Sequence, residues 1–203
     1  MRGLYAIIDP EVCRVHPLAV AQAVLRGGCA VLQLRAKRLT DAEYLGLGHE
    51  LVRECRGAGV PFFVNDRVHL VAALAADGVH VGQADLAVEA VRQALGPAVM
   101  IGVSTHSLAQ ARDAEARGAQ LIGFGPVFAT TTKLDHDPVV GLEALKSVCE
   151  TVRIPVIAIG GITQANVTQV AKSGAPLAAV ISAVCGAADP EQAARSLHRA
   201  SGV

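Results

Sequence analysis

Gln33, Arg35 and Lys37 occupy alternate positions in Gln33-Leu34-Arg35-Ala36-Lys37. In an extended strand, a period of two sends all three side chains to one side. A forked guanidinium and an ammonium grouped there could hold a mono- or diphosphate, because arginine bonds oxyanions bidentately and lysine adds a point charge. A solvated basic loop continuing into Arg38 would leave the same pattern. Two carboxylates follow two further apolar runs, in Val64-Asn65-Asp66-Arg67 and Gly82-Gln83-Ala84-Asp85. Hard carboxylate oxygens suit Mg2+, which keeps several waters and takes one or two protein carboxylates plus substrate phosphates. Asp66 and Asp85 are therefore candidate metal ligands, although aspartate is also a common helix N-cap.

Ser104 and His106 stand in Gly102-Val103-Ser104-Thr105-His106-Ser107. No Gly-x-Ser-x-Gly elbow surrounds Ser104, so donation to a phosphate suits it better than nucleophilic attack. His106 could act as an acid or base, or pack beneath the helix that follows. His80, inside an apolar run, fits a hydrogen-bonded core residue. Asp77, before that run, fits a turn. The segment Gly125-Pro126-Val127-Phe128-Ala129-Thr130-Thr131-Thr132-Lys133 carries three hydroxyls and a lysine after a glycine-proline turn, all donors for anions. Residues 134–138 after it fit a mobile lid. Gly160-Gly161 and Ile181-Ser182 close two later runs, and such glycines admit an anion close to backbone N–H groups.

These residues need a frame that brings them to one place. Eight short apolar runs, at 4–8, 30–34, 61–64, 78–81, 99–103, 121–124, 155–159 and 178–181, each end in one of the polar or glycine-containing clusters. Helix-like segments fill the intervals at 17–26, 41–55, 67–76, 86–95, 107–117, 142–149, 164–173 and 190–200. Thr40, Ser107 and Asp189 are placed to cap three of them, and Gly27, Gly57, Gly118 and Gly174 to end four. Strand-helix alternation repeated eight times predicts an α/β fold, a single (β/α)8 TIM barrel over residues 1–203, with its site on the loops after the C-terminal strand ends.

Composition narrows the function classes. The 203 residues are 52% hydrophobic, and Lys plus Arg equals Asp plus Glu at 18 each, so no global field draws the chain to nucleic acid or an anionic membrane. With no Trp, two Tyr and four Phe, a stacking surface for single strands is missing. No apolar stretch approaches a membrane span, and no basic, hydrophobic leader opens the chain, which implies a cytoplasmic protein. Five cysteines without a Cys-x-x-Cys pair fit buried, reduced thiols rather than a disulfide framework or structural zinc.

Taken together in order, Gln33-Leu34-Arg35-x-Lys37, Asn65-Asp66, His80-x-Gly82-Gln83-x-Asp85, Gly102-Val103-Ser104, Gly125-Pro126-Val127-Phe128-x-Thr130-x-Thr132-Lys133 and Gly160-Gly161-Ile162 resemble the thiamine phosphate synthase family across nearly the whole chain. The resemblance implies a Mg2+-dependent transferase of thiamine biosynthesis that joins hydroxymethylpyrimidine diphosphate to a thiazole phosphate and releases pyrophosphate. It implies that Gln33, Leu34, Arg35, Ala36, Lys37, Asn65, Ser104 and Lys133 hold the pyrimidine diphosphate, and that Asp66 and Asp85 hold magnesium. Thr130, Thr132, Gly161, Ile181 and Ser182 would hold the thiazole phosphate, with Thr131 in the same hydroxyl-rich loop. Catalysis would fall to Arg35, Lys37, Ser104 and Lys133 as the pyrimidine C–O bond ionises and the thiazole nitrogen attacks. A homodimer is a further expectation of the resemblance.

Ala36 departs from the family's usual glutamate, at a position that alternation turns away from the mouth. A sister family, the thiazole tautomerases, shares the barrel and several motifs and would use His106 as acid or base. Asp66 with Asp85 favours the synthase, because tautomerisation releases no pyrophosphate. A non-catalytic phosphometabolite-binding protein is the alternative of another class.

Overall fold

The strands β1 (Gly3–Ile8), β2 (Val31–Leu34), β3 (Phe62–Asn65), β4 (Gly78–Val81), β5 (Met100–Thr105), β6 (Leu121–Phe124), β7 (Val156–Ile159) and β8 (Leu177–Val180) are all parallel and pair in sequence order. β8 returns to β1 in the register Gly3↔Leu177 to Ala6↔Val180, which closes the barrel. This computed structural model describes residues 1–132 and 138–201. Around the strands lie α1 (Pro17–Gly27), α2 (Asp41–Ala58), α3 (Val71–Leu74), α4 (Val88–Leu95), α5 (Leu108–Ala116), α6 (Gly141–Thr151), α7 (Val167–Lys172), α8 (Ser182–Cys185) and α9 (Pro190–Ala200). The strands are Val/Ile/Ala-rich because the barrel interior buries one face and the helices bury the other; every residue of β1 is buried.

The interior is filled by fitting large side chains against absent ones. The Tyr5 ring meets Phe63 and His80 edge-on, at centroid distances of 6.0 and 6.5 Å. A Cβ at Gly78 would collide with the Phe63 ring, and one at Gly102 would lie 2.5 Å from His80 Nδ1. These two glycines thus make room for the aromatic layer on which the site rests.

Local signals place most element ends. The Thr40 hydroxyl accepts from Glu43 N–H while the Glu43 carboxylate accepts from Thr40 N–H, a reciprocal cap at the start of α2. Ser107 and Asp189 accept from the N–H groups of Gln110 and Gln192 at α5 and α9. At the N-terminal end of the barrel, the Asp77 carboxylate accepts from Phe62 N–H at 2.8 Å.

Four expectations change. α2 runs through Gly57 and ends at Gly59, whose φ of 67° lets its N–H reach the carbonyls of Arg56 and Cys55. Gly27 lies within α1 and is small because α9 crosses it closely, while Gly28 (φ 101°) makes the turn. The helix expected over 67–76 is a 3-10 turn (Val68–Leu70) followed by the one-turn α3, since Asp66 before it is left-handed (φ 59°) and Ala75 (φ 48°) stops it. Ser182 opens the additional short helix α8 after β8.

Candidate active site

The polar strand ends surround a cavity of about 280 Å3 at the C-terminal mouth of the barrel. One wall comes from the loops after β2, β3, β4 and the end of β5 and carries Arg35, Lys37, Asn65, Asp66, Asp85 and Ser104. Arg35 is ion-paired with Asp9, the residue that follows β1 and is only 1% exposed. The Asp9 carboxylate also accepts from Glu11 N–H at 3.1 Å, so the carboxylate that holds Arg35 is itself held. Arg35 Nε is buried with no hydrogen-bond partner among the described residues, while the residue itself borders the cavity. Lys37 is ion-paired with Asp66. Arg67 braces this wall from behind: it donates to the carbonyls of Ala36 and Leu39, meets the Asp41 carboxylate at 2.6 Å and stacks 4.9 Å over the Tyr44 ring.

Ser104 rests on the aromatic layer, its hydroxyl 3.1 Å from His80 Nε2, while its carbonyl accepts from Gln83 at 2.6 Å. Asp85 accepts from Gly82 N–H at 2.7 Å and borders the cavity. It caps a turn, not α4, whose first turn is preceded by Ala87.

The opposite wall is mostly backbone. Val127 and Phe128 N–H groups donate to the carbonyls of Ile159 (2.8 Å) and Gly160 (3.1 Å), which locks the loop after β6 onto the loop after β7. A Cβ on Gly160 would lie 2.5 Å from Pro126, and Gly161 adopts φ 63° with the chain at Phe128 and Ala129 against it. Thr130, Thr132 and Ser182 add hydroxyls to this wall, with Thr132 and Ser182 3.4 Å apart. His106 lines the cavity between the walls. Its Nδ1–H donates to the Gly125 carbonyl at 2.6 Å, which fixes the plane of the ring against the loop after β6.

Ile181 and Gly161 also border the cavity. Gln33 points to the same side as Arg35 but a layer deeper, into a hollow of about 30 Å3, where it donates to Tyr5 Oη at 2.9 Å. Burial in that layer pushes the Tyr5 phenol up. Leu34 and Ala36 face outward and are buried against the helices, Leu34 through its carbonyl bond to Tyr44 Oη at 2.7 Å; their contribution is to hold the backbone of the loop. Thr131 is exposed and borders neither hollow. Lys133 and all of the expected lid at 134–138 except Pro138 lie outside the described residues. Asp9 is a functional position that the motifs do not single out; the signal that marks it is a carboxylate directly after the first strand.

The donor set suits a hard divalent cation. Asp66 and Asp85 bring carboxylate oxygens to the same cavity as Arg35 and Lys37, and no group of three or more His, Cys, Asp or Glu among the described residues forms a complete cage. Two carboxylates completed by water and substrate phosphate is the arrangement Mg2+ favours.

A (β/α)8 barrel whose mouth sets a cationic, carboxylate-bearing wall against a glycine-amide wall is an enzyme of phosphorylated small molecules. Residues 4–184 match the family model described as thiamine monophosphate synthase, and the chain belongs to that family. It is 45% identical to the thiamine-phosphate synthase of Roseiflexus sp. (strain RS-1) over 96% of its length and 83% of that protein, and 41% identical to that of Laribacter hongkongensis (strain HLHK9) over 98% and 95%. The solved thiamine phosphate pyrophosphorylase from Pyrococcus furiosus superposes with a TM-score of 0.90 at 37% identity, covering 98% of this chain and 95% of that one. A 3-hexulose-6-phosphate synthase, 22% identical with a TM-score of 0.70, shares the fold.

Proposed function

We propose that residues 1–203 act as one catalytic domain that joins hydroxymethylpyrimidine diphosphate to a thiazole phosphate, yielding thiamine phosphate and pyrophosphate. The observation that carries this reading is the two-walled cavity, with charge for a diphosphate on one side and amides and hydroxyls for a second phosphate on the other. Arg35, aimed by Asp9, and Lys37, exchanging Asp66 for substrate, would neutralise charge growing on the departing diphosphate as the pyrimidine C–O bond ionises. Lys133 is assigned the same task by the family motif that carries it. Asn65 and Ser104 would orient the pyrimidine diphosphate. Asp66 and Asp85 would hold Mg2+, which when bound supplies further charge neutralisation of the diphosphate. Thr130, Thr132, Gly161, Ile181 and Ser182 would place the thiazole phosphate so that its ring nitrogen faces the cationic carbon. No protein nucleophile is required.

The test is thiamine phosphate formation from the two substrates, with Mg2+ and then with excess chelator. Metal-dependent product is the expected result, and a folded protein that forms none overturns the proposal. Isomerisation of the thiazole carboxylate phosphate that disappears in His106→Asn would assign the tautomerase reaction instead. Saturable binding of both phosphates without turnover would assign a binding protein. A cytoplasmic location and a homodimer belong to the same proposal, the latter checked by sedimentation. No described helix is long and apolar enough to cross a membrane.

A further inference from the structure

Cys13 lies in the loop between β1 and α1, and Cys185 ends α8 beyond β8. The fold gathers both at the C-terminal end of β1: Cys13 N–H donates to the Asp9 carbonyl at 3.1 Å, and Cys185 Sγ donates to the Ile7 carbonyl at 3.4 Å. Arg14 N–H also donates to the Cys185 carbonyl at 3.1 Å, so the two backbones run side by side where the thiols sit. Each thiol acts on the titration of the other. The bond from Arg14 to Cys185 puts the two segments in direct backbone contact, and a disulfide bridges segments whose Cα atoms lie roughly 4.4–6.8 Å apart.

The two sulfurs differ in the way exchange chemistry needs. Cys13 is partly exposed, and the neighbouring Cys185 thiol holds the Cys13 thiol below the ordinary range; Cys185 is fully buried, and the proximity of Cys13 together with burial pushes it up. Burial pushes Cys29 and Cys55 up to about 12 and Cys149 to about 11, which leaves those three inert.

We propose that Cys13 and Cys185 are a reactive thiol pair that a low-molecular-weight disulfide converts into an intramolecular disulfide, stapling the first strand's loop to the helix after the last strand. The Cys13 thiolate attacks one sulfur of the reagent RSSR, and RS− leaves with the electron pair of the broken S–S bond. Cys185 then gives up its proton to that thiolate or to water and attacks the Cys13 sulfur, releasing the second RS−, which is protonated. The sum is two protein thiols plus RSSR giving one protein disulfide plus two RSH, with the protein oxidised by two electrons. The staple crosses the seam where β8 returns to β1, so it resists opening of the barrel. It joins the loop holding Asp9, the anchor of Arg35, to the helix presenting Ser182.

The test treats the reduced, full-length protein with glutathione disulfide. Two of the five thiols should disappear, and a digest should contain the Cys13 and Cys185 peptides linked. Tm should rise by about 5–10 °C and fall back on adding reductant. Cys13→Ser should abolish both changes, and Cys185→Ala should stop at a stable mixed disulfide on Cys13. Because Cys13 is partly exposed, its serine variant folds and carries the test even where Cys185→Ala does not. Five thiols remaining, a linkage between Cys29 and Cys55, or a mixed disulfide at Cys13 that persists in the unmutated protein would each overturn the proposal.

Discussion

Asp9 shows how one buried charge organises this site. Its carboxylate is almost fully enclosed and its charged partner, Arg35, is mostly so. Removing one member of such a pair leaves the other uncompensated, a loss of about 3–5 kcal/mol in comparable cases. Asp9→Ala should therefore lower the denaturation midpoint and raise KM for the pyrimidine diphosphate together. Asp9→Glu should recover part of the stability, as urea titration and steady-state kinetics would show. Asp66 behaves differently. Asparagine tolerates a φ of 59° as readily as aspartate, so Asp66→Asn should fold normally yet lose about 100-fold or more in turnover at saturating substrate. Near-normal turnover at limiting Mg2+ would refute its role as a ligand. Arg35, Lys37, Asp66 and Asp85 were legible because each follows an apolar run, and the fold turns such positions toward one mouth. Gln33 shared their alternation but not their depth, since depth depends on barrel stagger, which no local pattern encodes. Asp9 and Arg67 act through partners distant in sequence and were invisible as a group.

At the level of elements, apolar runs and capping residues carried most of the information. Thr40 and Glu43 illustrate it: two donors at the start of α2 are satisfied within four residues, so sequence suffices to place that end. Thr40→Ala should lower Tm by about 2–4 °C, read by thermal denaturation, with α2 still formed because Tyr44, Leu51 and Cys55 remain buried against the strands. α8 was not legible, nor was the short extent of α3 within the helix expected over 67–76. Each is one turn long, too short for a helical period to appear, and their ends are set by Asp66, Ala75 and the return of β8. Gly57 misled for a related reason: Gly57 and Gly59 look alike in sequence, and only the path to β3 selects the left-handed one.

For the whole molecule, the seam between β1 and β8 is the place where local signals end. His198 of α9 accepts a hydrogen bond from Leu4 N–H through Nδ1 at 3.3 Å, which requires an unprotonated nitrogen there, and burial holds its pKa below the ordinary 6.5. A depressed folded pKa means that the contribution is complete above about 6.5 and is lost as pH falls through the lower, folded value. Tm should thus decline on acidification below about pH 6.5, and His198→Gln, which accepts without titrating, should flatten that decline. An unchanged slope in the variant would show that other groups govern it. The loops after β6 and β7 have a different kind of consequence. Because Gly125, Gly160 and Gly161 leave no space for side chains where those loops interlock, that wall of the cavity has its shape written in main chain. Natural variation can retune its hydroxyls at Thr130, Thr132 and Ser182 but cannot remould it one residue at a time. Changes in substrate range therefore fall to side chains, those hydroxyls and the facing wall, which is assembled from the separate loops after β2, β3 and β4.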